Sequence, residues 1–184
     1  MPRIDNVTKK GRILSISIHH RPDTDPDLSW IGEYVDDSSP GDIIAVGEHE
    51  GMFIDDLPED AALPERGRNF RYFRPGISGS EPIPDDDTYK KYALQDYERM
   101  RKYNNQYWYM MGIMATAQYV LPDSNVVQEM HSGGLWGIES DSGDDYISEV
   151  ENEELYTLRD QLAKIGFGKR AIAQAYKNVQ HKDD

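Results

Sequence analysis

Cysteine is absent from all 184 residues of the chain. Without thiols there can be no disulfide framework, no thiolate metal site and no cysteine nucleophile, so several classes of enzyme and small secreted domain are excluded. No run of about 18 apolar residues occurs either, and the N-terminal MPRIDNVTKKGR lacks the apolar segment of a secretory signal. We therefore expect a cytoplasmic protein that does not bind membranes.

Positive charge is scarce and unevenly distributed. Lys and Arg number 20 against 34 Asp and Glu, which gives a net charge of −14. Two long stretches, 22–65 and 103–158, contain neither Lys nor Arg. Nucleic-acid affinity comes largely from Lys and Arg that release counterions from phosphates, so direct binding to DNA or RNA is not expected. A basic surface on another protein would instead be attracted.

The chain has enough apolar and aromatic residues to build a core. Apolar residues make up 38% of it, and 12 Tyr, 3 Trp and 4 Phe are too many for a disordered acidic polymer. Its length is that of one ordinary domain, and no internal repeat or compositional boundary divides it. The prediction is a single α+β domain over residues 1–184.

The N-terminal part of that domain is predicted to be rich in β-structure over residues 12–74. Alternation from Arg12 to His20 predicts a strand, and Trp30 to Val35 forms a second strand that can pair with it as a hairpin. Further short strands are predicted at 43–46, 52–54 and 69–74. A loop over 55–69 and an irregular connector over 75–84 complete this part.

The C-terminal part is predicted to contain a central hairpin and three helices. A helix over 85–104, capped by Asp85 to Asp87, precedes it. Tyr107 to Val120 is apolar on both faces and therefore central in the sheet, and it pairs antiparallel with 126–131. Helices at about 144–165, stopped by Gly166, and 169–179 form an αα-hairpin over 144–180. The predicted sheet is small and antiparallel.

Known metal and catalytic motifs are not met. Asp23, Asp25 and Asp27 alternate as at the start of an EF-hand loop, but Leu28 and Tyr34 occupy the places of its required Gly and Glu. The five His show no ligand spacing such as HExxH, and no G-x-S-x-G elbow is present. We expect no metal, no cofactor and no catalytic residue.

Arginine alternates with aromatic residues in the segment from Arg68 to Arg74. This mixture is typical of surfaces that bind single-stranded nucleic acid. Because the chain is strongly acidic, we favour the other interpretation. The aromatic rings enter the core, and the arginines serve as internal counter-charges for the acidic stretches.

Acidic residues are most concentrated over 139–154, where a Gly-rich segment enters a helix. Eight of them fall in these 16 residues. Like charges at i,i+4 on a helix cost a few tenths of a kcal/mol per pair, so local structure does not favour them. The simplest interpretation is solubility. The functional interpretation is a surface that binds a partner by presenting carboxylates in place of phosphates, formed by Glu139, Asp141, Asp144, Asp145, Glu149, Glu151 and Glu153.

The run SGGLWGIESDS, residues 132–142, carries a resemblance. Together with the acidic helix ending at Gly166-Phe167 and the upstream YALQDY of 92–97, it resembles a family of small uncharacterised proteins encoded by bacteriophages and mobile elements. The resemblance covers roughly residues 69–180. It implies a setting in phage or plasmid biology and carries over no activity and no catalytic residue.

Three functional hypotheses follow. The leading one is a non-enzymatic inhibitor of anti-restriction or anti-CRISPR type, whose acidic surface mimics DNA in the basic groove of a host nuclease or CRISPR effector. That surface is drawn from 139–154, and 23–60 is a further candidate region for it. The second is a small enzyme or ligand-binding protein with a pocket at the Gly-rich segment 132–137, formed with His131, Trp136 and Glu139. The third is an accessory or structural phage protein, which would expose an apolar patch.

Overall fold

The computed structural model describes residues 11–64, 70–76, 85–122 and 124–183. The chain forms two compact units: a terminal unit, Met1–Asp25 with Tyr109–Asp184, and a central unit, Pro26–Trp108. The sequence indicated one domain, since composition does not change at either junction. Residues 65–69 and 77–84 of the predicted connectors, and Asp123 of the predicted turn, lie outside the described residues.

The fold is α+β, as predicted. In chain order its helices and strands are β1 (Arg12–Pro22), β2 (Gly32–Val35), β3 (Ile43–Ile44), β4 (Tyr72–Pro75), α1 (Asp86–Asn104), β5 (Met110–Val120), β6 (Gln128–His131), β7 (Leu135–Glu139), α2 (Asp144–Lys164), α3 (Lys169–Ala175) and β8 (Val179–Asp183). Single turns of 3-10 helix occupy Ile54–Asp56 and Tyr176–Asn178. Among the described residues, no helix is both long enough and apolar enough to cross a membrane.

The sheet of the terminal unit is mixed, which corrects the predicted antiparallel sheet. β5 is central as expected, and it pairs antiparallel with β1, β6 and β7. β8 lies parallel to β1, with Val179 opposite Ile16. The last helix was predicted to reach Val179 but ends at Ala175. The chain then forms β8, because a β-branched residue at Val179 suits a strand and the edge of β1 has free backbone groups to satisfy.

The core of the terminal unit lies between one face of the sheet and the two helices α2 and α3. Ile16 and Ile18 of β1 alternate inward beside Ile113, Ala115 and Ala117 of β5. Helix α2 buries Val150, Leu158 and Leu162, which recur at the spacing of one helix face. At the predicted stop, Gly166 has φ +100° and the Phe167 amide donates to the Leu162 carbonyl.

The central unit has its own three-stranded antiparallel sheet, in the order β2-β4-β3. The predicted hairpin between 12–20 and 30–35 is therefore wrong: β2 pairs with β4, and β1 pairs with β5. Hydrophobic alternation defines a strand but does not name its partner. Helix α1 begins as predicted, because the Asp85 carboxylate accepts from the Thr88 amide at 2.8 Å. Its Tyr97 packs on Phe73 of β4 at 5.4 Å between ring centroids.

Candidate functional site

The outward side of α2 carries an uninterrupted row of carboxylates. The buried residues of α2 orient the helix so that Asp145, Glu149 and Glu153 are exposed along one i,i+4 row. Asp144 is exposed beside the first of them. We call these four residues the acidic face. None of them has an ion-pair partner among the residues that the structure describes.

The four carboxylates of the acidic face differ in how much they stabilise helix α2. Asp144 and Asp145 occupy the first turn of α2, where the positive end of the helix dipole favours negative charge. Glu149 and Glu153 lie in later turns, where the dipole has little effect. The first pair thus has a structural reason to be acidic, and the second pair has none that we find in the described structure.

Glu151, predicted to belong to the same surface, points the other way. Its side chain is 16% exposed, and its Oε1 lies 2.8 Å from His20 Nε2 and 3.4 Å from His181 Nδ1. One carboxylate oxygen therefore links α2 to β1 and β8. The contact with His181 joins the side chains of α2 and β8. Because Glu151 is engaged in these contacts, we leave it out of the acidic face.

Glu139 and Asp141 also stand apart from the row on α2. Glu139 is the last residue of β7 and is half-buried opposite Met110. Asp141 is exposed in the turn that leads into α2. Both already have polar interactions within the chain. The structure thus places the seven predicted surface residues in three different settings.

Glu154 has a structural role that the sequence interpretation missed. Its Oε2 accepts a hydrogen bond from Ser132 Oγ and another, at 3.1 Å, from the Gly134 amide. Ser132 Oγ in turn accepts from the Ala115 amide at 3.0 Å. The carboxylate therefore holds the start of the Gly-rich segment to α2.

A signal for both inward carboxylates was present in the sequence. Glu154 lies four residues after Val150 and four before Leu158, in the buried row of α2. Glu151 lies four residues after Ile147 and four before Leu155, which pack against the same core. Residues at i and i+4 share a helix face, so a carboxylate between two apolar residues at this spacing has to point inward.

Part of the Gly-rich segment lies in the sheet, because β7 begins at Leu135. Leu135 pairs with Ile113 in β5, and Trp136 lies across Gly112, where an added β-carbon would collide with the indole ring. His131 pairs with Thr116 in the strand register and lies 3.2 Å from Glu129. A cavity of about 680 Å³ in the terminal unit is lined by neither His131 nor Trp136.

In the other stretch without Lys or Arg, 22–65, several carboxylates pair with bases from later in the chain. Asp42 is almost fully buried in the central unit, and both of its carboxylate oxygens accept from Arg74, at 3.2 and 3.1 Å. Lys90 pairs with Asp56, and Arg101 lies 3.8 Å from Glu50. Arg71 donates to the carbonyls of Pro64 and Asp36. The predicted role of internal counter-charge is thus supported for Arg74, whereas Arg71 contacts backbone carbonyls. Tyr72 and Phe73 enter the core as predicted, but Phe70 is 55% exposed.

Metal binding receives no support from the described residues, where no group of three or more His, Asp and Glu is placed to hold an ion. Comparison of the chain with protein-family models, with curated proteins and with solved structures found no match. Any functional assignment therefore depends on the chemistry of the surfaces described above.

Proposed function

We propose that the protein is a non-enzymatic inhibitor, encoded by a phage or plasmid, that binds the basic groove of a host enzyme acting on nucleic acids. The acidic face of α2 makes the contact. The observation that carries this proposal is the exposed row Asp145, Glu149 and Glu153, which has no ion-pair partner among the described residues. Such a row attracts a basic partner and repels nucleic acid.

The spacing of the row fits a nucleic-acid mimic in part. Residues four apart rise about 6 Å along a helix axis, so the row presents roughly one charge per 6 Å. One strand of DNA presents a phosphate about every 3.4 Å of axis. The acidic face is therefore about half as dense as a single strand along this line. We expect it to occupy one part of a basic groove and to give a modest dependence on salt.

Neighbouring side chains can add contacts that are not ionic. Tyr156 is 67% exposed, and Asn152 is exposed between the rows of the helix. Exposed Tyr is enriched at protein interfaces because one ring offers both apolar area and a hydroxyl. The resemblance of residues 69–180 to phage and mobile-element proteins supports a partner in the host cytoplasm, such as a restriction nuclease or CRISPR effector.

The experiment is a pull-down from bacterial host lysate with three baits: the wild-type chain, the triple variant D145S/E149S/E153S, and a control triple variant. The control is E48S/E59S/D60S, which changes the net charge equally at exposed positions of the central unit. Each bait is washed at about 0.1 M and about 0.5 M salt, because screening weakens contacts between exposed charges.

The expected result is a basic, nucleic-acid-directed enzyme captured by the wild-type chain and by the control, lost with the acidic-face variant, and reduced at the higher salt. Purified enzyme should then be inhibited by the same two baits that captured it. Equal capture by all three baits would count against the acidic face. Recovery of no nucleic-acid enzyme by any bait would count against the proposed function as a whole.

A further inference from the structure

The terminal unit contains a cleft beside the turn between α2 and α3. A cavity of about 680 Å³ is lined in part by Leu121, Phe167 and Arg170. A second cavity of about 430 Å³ lies next to the first along α3 and shares Gly11, Ala171 and Gln174 with it. The volume of the first cavity is in the range of sites for small molecules, about 300 to 1,000 Å³.

The wall of the larger cavity is mainly apolar. Leu121, Pro122, Ile165 and Phe167 provide the side chains, and glycines at positions 11, 166 and 168 leave space between them. A β-carbon at Gly11 would lie 3.0 Å from the Val120 carbonyl oxygen and 3.1 Å from the Phe167 ring, so a side chain there would crowd this wall. Apolar surface of this kind favours a hydrocarbon or aromatic ligand.

Several contacts hold the wall in place before any ligand binds. The Phe167 ring meets Tyr119 edge to face, at 5.7 Å between centroids. Burial raises the pKa of Tyr176 to about 12, so its hydroxyl stays protonated and donates to the Leu155 carbonyl at 2.6 Å, which fastens the end of α3 to α2. A preformed site of this kind spends little binding free energy on ordering the protein.

One positive charge faces this apolar wall. Arg170 is the only ionisable residue among the described residues that line the larger cavity. Arg170 has no ion-pair partner among the residues that the structure describes, although the chain has a net charge of −14. Arg170, Ala171 and Gln174 share the side of α3 that borders the cleft, while Ile172 is buried in the core. A guanidinium binds a carboxylate through two parallel hydrogen bonds.

We propose that this cleft binds a small amphipathic carboxylate. The hydrocarbon body lies against Leu121, Ile165 and Phe167, and the carboxylate pairs with Arg170. The site is separate from the acidic face, because it lies at the opposite end of α2, whose 21 residues span about 30 Å. The inference therefore does not depend on the proposed inhibitor function, and either can fail alone.

Calorimetric titration of the full chain with dodecanoate, below its micellar concentration, tests the proposal, with dodecanol as the uncharged probe. Dodecanoate should bind at least about tenfold more tightly than dodecanol, as a charge-assisted pair implies. Arg170→Gln should remove this difference by weakening dodecanoate alone. Arg159→Gln, an exposed position of α2 that does not line the cleft, is the matched control and should change neither affinity.

A second variant tests the apolar part of the site. Ala171 is exposed on α3 and lines both cavities, so Ala171→Phe should fill the cleft without disturbing the core. It should weaken both probes, and an unchanged thermal midpoint would show that the fold is intact. The proposal is overturned if wild-type protein does not bind dodecanoate, if Arg170→Gln leaves its affinity unchanged, or if a folded Ala171→Phe variant binds as well as the wild type.

Discussion

The two stretches without Lys or Arg are both strongly acidic, with 14 carboxylates in 22–65 and 10 in 103–158, yet they differ in which of these carboxylates are paired with bases. In the first, Asp42, Asp56 and Glu50 meet bases that lie 32 to 51 positions later in the chain. In the second, the acidic face of α2 points outward without bases. Absence of local counter-charge in the sequence therefore does not by itself identify an acidic surface.

Within the second stretch, the carboxylates of α2 fall into an inward group and an outward group. Along α2, Glu151 and Glu154 occupy apolar rows and turn inward to histidines, a hydroxyl and a backbone amide. Glu149 and Glu153 occupy the outward row. Adjacent residues such as Glu153 and Glu154 thus have opposite roles, because consecutive positions on a helix are about 100° apart. The following variants test this division, in order of decreasing expected effect.

Breaking the buried pair of the first stretch should cost the most stability. Arg74→Ala removes the bidentate partner of Asp42, whose hydrogen bond from the Ser39 amide would remain. An uncompensated buried carboxylate costs about 3 kcal/mol of unfolding free energy. Urea denaturation measures the loss. Lys90→Ala, which breaks an exposed pair with Asp56, should cost much less, because solvent screens the two charges. Equal losses would show that Asp42 does not depend on Arg74.

Removing the inward carboxylate of α2 should have the next largest effect. Glu154→Ala leaves Ser132 Oγ and the Gly134 amide without their acceptor, and we expect a loss of about 2 kcal/mol in urea denaturation. Hydrogen exchange at the Gly134 amide should accelerate as well. Glu153→Ala is the matched control and should change stability by less than about 0.5 kcal/mol. If the two variants behave alike, the inward and outward rows are wrongly assigned.

Asp96 gives the central unit a stability that depends on pH. Burial raises its pKa to about 6, above the ordinary 3.8, so the folded protein binds this proton more tightly than the unfolded chain. Its contribution is therefore favourable at low pH and is lost as the pH rises from about 4 through 6. Asp96→Asn should raise the unfolding free energy at pH 7 by roughly 1 kcal/mol, a value reduced for the partial exposure of the group.

Denaturation midpoints in urea between pH 4 and 7 measure this dependence. The Asp96→Asn profile should be flatter than that of the wild-type chain across this interval. Asp60→Asn, at an exposed loop position of the same unit, is the control and should leave the profile unchanged. If the urea midpoint of Asp96→Asn changes with pH as steeply as that of the wild-type chain, another group is responsible for the titration.

The smallest expected effect tests whether the outward row is unfavourable in itself. Glu149→Gln removes repulsion with Asp145 and Glu153 at i±4, each pair worth a few tenths of a kcal/mol. The thermal midpoint should rise slightly at about 20 mM salt and remain unchanged at about 1 M, where exposed charges are screened. A fall in the midpoint at low salt would mean that the row stabilises the fold, and its acidity would then need no partner.

Local signals in the sequence predicted the elements better than their arrangement. The central position of β5 followed from its two apolar faces, and the ends of α1 and α2 followed from Asp85 and Gly166, whose effects are confined to one turn. The pairing of β1 with β5 joins residues about 100 positions apart, and β8 pairs with β1 across an even longer interval. Alternation is the same for any partner, so long-range pairing had to come from the three-dimensional structure.

The candidate site was predicted only in part, because the sequence again carries local information and no three-dimensional arrangement. Composition located the acidic segment, but only the row in which each carboxylate lies separates the outward Glu149 from the inward Glu151. The cleft beside Arg170 left no such signal. Its wall joins Leu121, at the end of β5, to residues 165–174, and no local pattern connects segments so far apart in the chain.

The most direct test of the proposed function is a competition measurement on the host enzyme recovered in the pull-down. Binding of its nucleic-acid substrate is titrated against the wild-type chain, the acidic-face variant D145S/E149S/E153S and the control E48S/E59S/D60S. We predict that wild type and control displace the nucleic acid and that the acidic-face variant does not. Displacement that is equal for both triple variants, or simultaneous binding of the wild-type chain and the nucleic acid, would contradict the account.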